Sequence, residues 1–158
     1  RSLRPQKPFY DYILIDCPPS LGLLTVNALA AADSLLVPLQ CEFYALEGLT
    51  QLLSTYEMIR GSLNPELKIE GVLLTMFDSR TNLAAQVAEE ARAYFGAKVY
   101  ETVISRSVRL SEAPSHGVPW IFYDQKARGA EEYQALAEEF LARQTEHSQA
   151  PGHPSGVA

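Results

Sequence analysis

The chain has 158 residues, 47% of them hydrophobic and 20% charged, with a formal net charge of −6 and a pI near 5.0. That is one domain's worth of ordinary globular composition, and its acidic balance argues against a wholly basic nucleic-acid binder without forbidding a basic patch on one face. No apolar run approaches the roughly 18–20 residues that span a bilayer, and the polar, basic, proline-broken start does not read as a signal peptide.

The elements alternate along the chain. Residues 12–15 (YILI) are apolar, β-branched and aromatic, as suits a strand buried on both faces of a parallel sheet. The run stops at Asp16, and the prolines at 18 and 19 cannot extend a ladder. An Ala/Leu-rich helix follows over 21–32, with Ser20 placed as its N-cap. A second buried strand is predicted over 34–39. The helix over 45–63 carries Leu46, Leu49, Leu52, Leu53, Tyr56 and Ile59 at helical spacing and stops at Asn64-Pro65. A third strand runs over 68–76, and an amphipathic helix over 82–95 is closed by Gly96. Strands are expected over 98–104 and 120–123, and a last helix over 128–144 with Tyr133, Leu136, Ala137, Phe140 and Leu141 facing inward. The predicted domain is 1–144. The remainder, 145–158, is polar and rich in Gly, Pro and Ser, and is expected to be a disordered tail. This order predicts an α/β fold: a doubly wound, mostly parallel sheet with helices on both faces.

The chemistry concentrates where strands end. A carboxylate at Asp16 sits at the carboxyl edge of its predicted strand, where ligands bind in open α/β sheets. An acid there can hold Mg²⁺ directly or through a water. The plainer reading of Asp16 is a cap or turn residue. The two thiols, Cys17 and Cys41, have no CxxC spacing and no nearby His, and read as reduced, partly buried residues of a cytoplasmic protein rather than a zinc site.

The longer string decides between the readings. YDYILIDCPPSLGLLTVNALAAAD resembles the Walker B and switch region of the ParA/Soj ATPases, which segregate chromosomes and plasmids. CEFYALEGL at 41–49, GVLLTMFDSRTNL at 71–83, SVRLSEAPSHG at 107–117 and YDQKARGAEEY at 123–133 match the same family in order. No segment reads G-x-x-x-x-G-K-[ST], so the resemblance is to the carboxy-terminal part of a ParA-like protein, with a P-loop NTPase-like but incomplete fold.

The resemblance implies ATP and Mg²⁺ as cofactors, with Asp16 as the Mg²⁺-side and catalytic acid and Pro18 opening the switch segment that runs to Gly22. It implies that the turn of Met76, Phe77 and Asp78 lies near the adenine base, that Ser105 and Ser107 stand where relatives commonly carry Pro and Asn, and that Asp124 follows the fifth strand. A Ser hydroxyl makes a single hydrogen bond and not the paired amide contact of Asn. Arg80, Arg106 and Arg109 are the implied DNA contacts, and Lys98, Lys126 and Arg128 extend the patch. Sequence-independent binding needs such cations to neutralise phosphates and release counterions. The implied partners are non-specific DNA, a ParB-like protein and a second copy in a homodimer, with no membrane, in a cytoplasmic, nucleoid-associated setting. Two other readings stand beside it: a non-hydrolysing DNA- or partner-binding fragment, and a MinD-like positioning ATPase, although the tail after Gln144 has none of the Lys or Arg that a membrane-binding helix needs.

Overall fold

The computed structural model describes residues 3, 5–18, 22–107, 115, 117–119, 122 and 128–149. A 3₁₀ turn at Lys7–Phe9 precedes α1 (Leu23–Ala31), β1 (Ser34–Gln40), α2 (Ala45–Ser62), β2 (Lys68–Phe77) and α3 (Asn82–Phe95). A second 3₁₀ turn at Gly96–Lys98 leads into β3 (Val99–Ser105), and α4 (Arg128–Gln149) is the last described element. The strands form one sheet in the order β1-β2-β3. β2 pairs with β3 in parallel, with Val72 opposite Val99, Leu74 opposite Val103 and Phe77 opposite Ser105, and a register shift in each interval. A helix sits between successive strands, as a parallel crossover requires. The architecture is the parallel α/β fold that the alternation predicts.

The chain divides into two compact units, Arg1–Val37 with Tyr44–Glu70, and Pro38–Phe43 with Gly71–Ala158. In the first, Leu29, Tyr56, Ile59 and Leu67 form a buried cluster against which Val26, Ala32, Leu35 and Ile69 pack. The Tyr56 hydroxyl donates to the Leu67 carbonyl at 3.0 Å, satisfying a polar tip whose burial would otherwise be costly. The Asn64 side-chain amide donates to the carbonyls of Leu29 and Ala32 at 3.0 and 2.8 Å. It thereby takes up carbonyls that the end of α1 leaves without helical partners. Lys7 pairs with Asp33 at 3.2 Å on the surface.

The strand expected over 12–15 does not form. These residues lie in neither helix nor strand, and Ile13, Leu14 and Ile15 are 36%, 84% and 42% exposed. A strand is stabilised by the neighbours it pairs with, and the described sheet consists of β1, β2 and β3 alone. The predicted Ser20 cap lies outside the described residues; α1 starts from Gly22 in an extended conformation with no side-chain cap.

In the second unit, Val72 and Leu74 of β2 and Tyr100 of β3 are wholly buried. Gly71 makes their close approach possible: a Cβ there would stand 2.8 Å from the Lys98 carbonyl oxygen and closer still to the Tyr100 ring. The Thr81 side chain accepts from the Ala84 N–H at 3.3 Å and caps α3. Gly96 closes α3 at φ 56°, a conformation that costs glycine little.

α4 differs from expectation in two ways. It continues to Gln149, past the expected limit at 144, because no proline or glycine intervenes before Pro151 and Gly152. Its inward face is also only partly apolar. Tyr133 and Leu141 are 42% and 49% exposed and Ala137 is exposed, whereas Glu132, Leu136, Glu139, Phe140 and Arg143 are half-buried. Glu139 accepts from the backbone N–H groups of Glu101 and Thr102 at 2.9 and 2.8 Å. Arg143 pairs with Glu139 at 2.7 Å, donates to the Val99 carbonyl at 2.9 Å and lies 4.0 Å above the Tyr100 ring. Side chains of α4 thus satisfy backbone groups along β3 that a further strand would otherwise occupy. Of the strand predicted over 120–123, only Phe122 is described; its N–H donates to the Pro119 carbonyl at 2.9 Å.

Candidate functional site

Asp16 and Pro18 belong to the first unit. Both are exposed, in backbone that is neither helix nor strand. Asp16 is therefore not delivered by a paired strand within the described sheet, although its carboxylate is open to solvent and to ligand. Cys17 beside it is exposed, and its thiol lies 3.8 Å from the Ile15 carbonyl.

The remaining described candidates belong to the second unit, at the carboxyl ends of β2 and β3. Parallel pairing of these strands sets Phe77 opposite Ser105, and the Arg106 N–H donates to the Phe77 carbonyl at 3.0 Å. Met76 has φ 53°, the one non-glycine residue in the left-handed region among those described. Such a conformation costs on the order of 1 kcal/mol or more in a side chain of this kind, and clusters at functional turns. Phe77 beside it is half-buried.

Asp78 organises the turn that follows. Its carboxylate accepts the Arg80 N–H at 3.0 Å, Arg80 Nε at 2.9 Å and Arg80 Nη2 at 2.7 Å. Its backbone carbonyl accepts the Thr81 N–H and hydroxyl, both at 3.0 Å. This is the local side-chain-to-backbone bonding that makes Asp a turn residue. The hydrogen bonds and charge of Arg80 hold the Asp78 carboxyl far below the usual carboxylate range, with a smaller contribution from Arg106. Asp78 in turn pushes the Arg80 guanidinium up. The Arg80 side chain is 86% exposed, and that of Asp78 19%.

Ser105 is engaged. Its hydroxyl donates to Glu132 at 2.6 Å, and its backbone N–H donates to the same carboxylate at 2.8 Å. Arg128 Nε joins from the previous turn of α4 at 2.9 Å. Ser107 is half-buried. Arg106 pairs with Glu42 at 3.4 Å. The structure therefore brings Met76, Phe77, Arg80, Ser105 and Arg106 to one edge of the β2–β3 pair. Lys98 precedes β3 and lies at the opposite end of that strand, so it does not extend the patch: seven strand residues rise roughly 23 Å. Arg109, Asp124 and Lys126 fall outside the described residues.

Sequence reasoning missed Asp78, Glu42, Glu132 and Glu139 as partners. The first could have been found from D-x-R-T, an Asp two residues before an Arg and three before a helix cap. The others engage groups from 27 to 64 residues away, for which no local pattern exists. Cys41 is buried, and burial pushes its thiol up, partly offset by the charge of Arg92.

A parallel sheet with turns and charged loops gathered at the carboxyl end of its strands is the arrangement in which open α/β proteins bind their ligands. The comparisons narrow the class. Residues 1–69 match the family model described as "AAA domain". The chain is 61% identical over 147 residues to "Chromosome partitioning protein ParA" of Myxococcus xanthus, covering 93% of this chain and 52% of that protein. It is 63% identical over 142 residues to "Sporulation initiation inhibitor protein Soj" of Bacillus subtilis, covering 90% and 56%. Among solved structures, cobyrinic acid a,c-diamide synthase from Mycobacterium smegmatis with bound ATP analog and magnesium aligns at TM-score 0.69 and 32% identity, over 94% of this chain and 55% of that one. The chain belongs to the ParA/Soj family, and it spans about half the length of the curated relatives it matches.

Among the described residues no three His, Cys, Asp or Glu side chains gather into a metal cage. A single exposed carboxylate at Asp16 suits an ion that keeps several waters and shares its remaining positions with substrate phosphates. No helix among the described residues is long and apolar enough to cross a membrane.

Proposed function

We propose that this chain is part of a ParA/Soj-type ATPase for chromosome or plasmid partition. The observation that carries the reading is the 61% identity over 147 residues, 93% of this chain, to a chromosome-partitioning relative. Support comes from the edge of β2 and β3, where the turns proposed to face the nucleotide and two of the proposed DNA arginines meet.

In this reading Asp16 holds Mg²⁺, directly or through a water, and bound Mg²⁺ supplies neutralisation of phosphate charge during γ-phosphoryl transfer. Asp16 orients that ion. Pro18 stiffens the segment leading into α1. Met76 and Phe77 offer the apolar wall for the base, with Ser107 and Asp124 beside it. Ser105 acts mainly through Glu132, which fixes the end of β3 to the start of α4. Arg80, Arg106 and Arg109 contact DNA phosphates without reading sequence. An ATP-dependent homodimer presents them, and a ParB-like partner stimulates hydrolysis and release.

No segment of the sequence has the glycine and lysine pattern of a phosphate-gripping loop. The exposed apolar groups of the first unit, Leu14, Leu23 and Leu24 at 84%, 82% and 74% exposure, are read as surface that the rest of the parent covers. The test is Asp16→Ala in the full-length protein. Steady-state ATP turnover is expected to vanish while far-UV circular dichroism and thermal midpoint stay near wild type, because an exposed acid contributes little to the core. Turnover within a few-fold of wild type would remove Asp16 from the metal site.

A further inference from the structure

The three described arginines at this edge each hold a carboxylate: Arg80 with Asp78, Arg106 with Glu42 and Arg128 with Glu132. The first pair is the most complete. Asp78 takes Nε and Nη2 of Arg80 in the side-on fork geometry that guanidinium also offers to phosphate. Arg80 is thus well exposed yet already matched in charge and in its best two donors. Arg106 is matched more loosely, at 3.4 Å, by a carboxylate on a different loop.

From this we infer that Asp78, and secondarily Glu42, are built-in competitors for the DNA backbone: they occupy the arginines' phosphate-facing donors and keep non-specific DNA binding weak and readily reversed. The inference rests on the proposed DNA role of Arg80 and Arg106. Because Arg80 holds the Asp78 carboxyl far below the usual range, the competitor stays charged at any working pH. A phosphate must either displace it from the guanidinium or accept the outer Nη1 edge with a negative charge close by. A protein that has to bind DNA anywhere and let go is served by a weak grip, and one that binds through few cations has little other means of adjusting it.

The test uses the full-length protein with ATP and Mg²⁺, titrated with salt on two unrelated duplexes. The variants are Asp78→Asn, Arg80→Ala, their double, and Glu42→Gln. Asp78→Asn keeps the side-chain oxygen that accepts the Arg80 N–H, so the turn is retained while the charge is removed. Asp78→Asn is expected to bind about threefold tighter, the worth of one unit charge roughly 6 Å from a phosphate in a water-like medium. Its log–log salt slope is expected to steepen by up to about 0.9, one freed phosphate contact. Arg80→Ala is expected to bind more weakly, and the double variant to lose the gain.

If Arg80→Ala weakens binding but Asp78→Asn leaves it unchanged or weaker, the competitor role is overturned and the DNA role of Arg80 stands. If Arg80→Ala has no effect, the DNA role falls. A gain that persists in the double variant shows general repulsion by Asp78 and also overturns the inference. Should Asp78→Asn lose the fold by circular dichroism, Glu42→Gln decides with the same sign: tighter binding supports competition, and unchanged binding refutes it.

Discussion

Replacing Gly71 by alanine tests how closely β2 and β3 are packed. A Cβ at 71 would stand 2.8 Å from the backbone oxygen of Lys98 and closer to the Tyr100 ring. Tyr100 is wholly buried and lies under Arg143, so neither obstacle is the free end of a flexible side chain. Either β3 shifts or the ring leaves its place against Arg143. Overpacking of this kind costs about 1–3 kcal/mol. The substitution also lowers the entropy of the unfolded chain, which returns about 0.4–1 kcal/mol. The expected net loss is roughly 1–2 kcal/mol, or about 2–8 °C in Tm for a domain of this size. Gly61 provides the control. It lies on α2 with nothing within 4 Å of an added Cβ, and alanine there is expected to stabilise by up to about 1 kcal/mol. Thermal and urea unfolding followed by circular dichroism read both. If Gly71→Ala unfolds at or above the wild-type midpoint while Gly61→Ala behaves as expected, the close β2–β3 approach is wrong.

Glu139→Gln is expected to destabilise by roughly 1.5–3 kcal/mol at pH 7, the worth of hydrogen bonds to a charged acceptor. Burial pushes the Glu139 carboxyl up, but the N–H groups of Thr102 and Glu101 and the Arg143 guanidinium outweigh it and leave the group below its ordinary value. Its contribution is therefore present above the unfolded pKa near 4.3 and is lost as pH falls through the lower folded value. Urea midpoints from pH 7 to pH 3 should show wild type and variant converging at the acid end; parallel curves would refute the role. Exposed Cys17 is expected to react with a maleimide well before buried Cys41, read by mass spectrometry of the folded protein. Equal labelling of the two would contradict the packing around Cys41.

What the sequence determined by itself is what local pattern encodes. The helix 82–95 is observed at Asn82–Phe95, and the strands expected over 34–39, 68–76 and 98–104 appear at Ser34–Gln40, Lys68–Phe77 and Val99–Ser105, each within a residue of its predicted bounds. Periodicity, caps and breakers act within a few residues of themselves, so they are legible without the fold. The motif order also sufficed to name the family. The tertiary structure decided what depends on partners distant in sequence. The run 12–15 has a strand's composition but joins no described strand, because composition does not supply a neighbour. The inward face of α4 carries Glu132, Glu139 and Arg143 beside the expected Leu136 and Phe140, because those polar side chains meet the backbone of β3, which a search for apolar periodicity does not find. Arg80 reads as a free cation until Asp78 is seen to hold two of its donors. For the α4 contacts the deciding energy is desolvation and hydrogen bonding between groups brought together by the fold, and no single stretch of chain contains both members of the pair; Asp78 and Arg80 share one turn, and there only the side-chain geometry had to be seen.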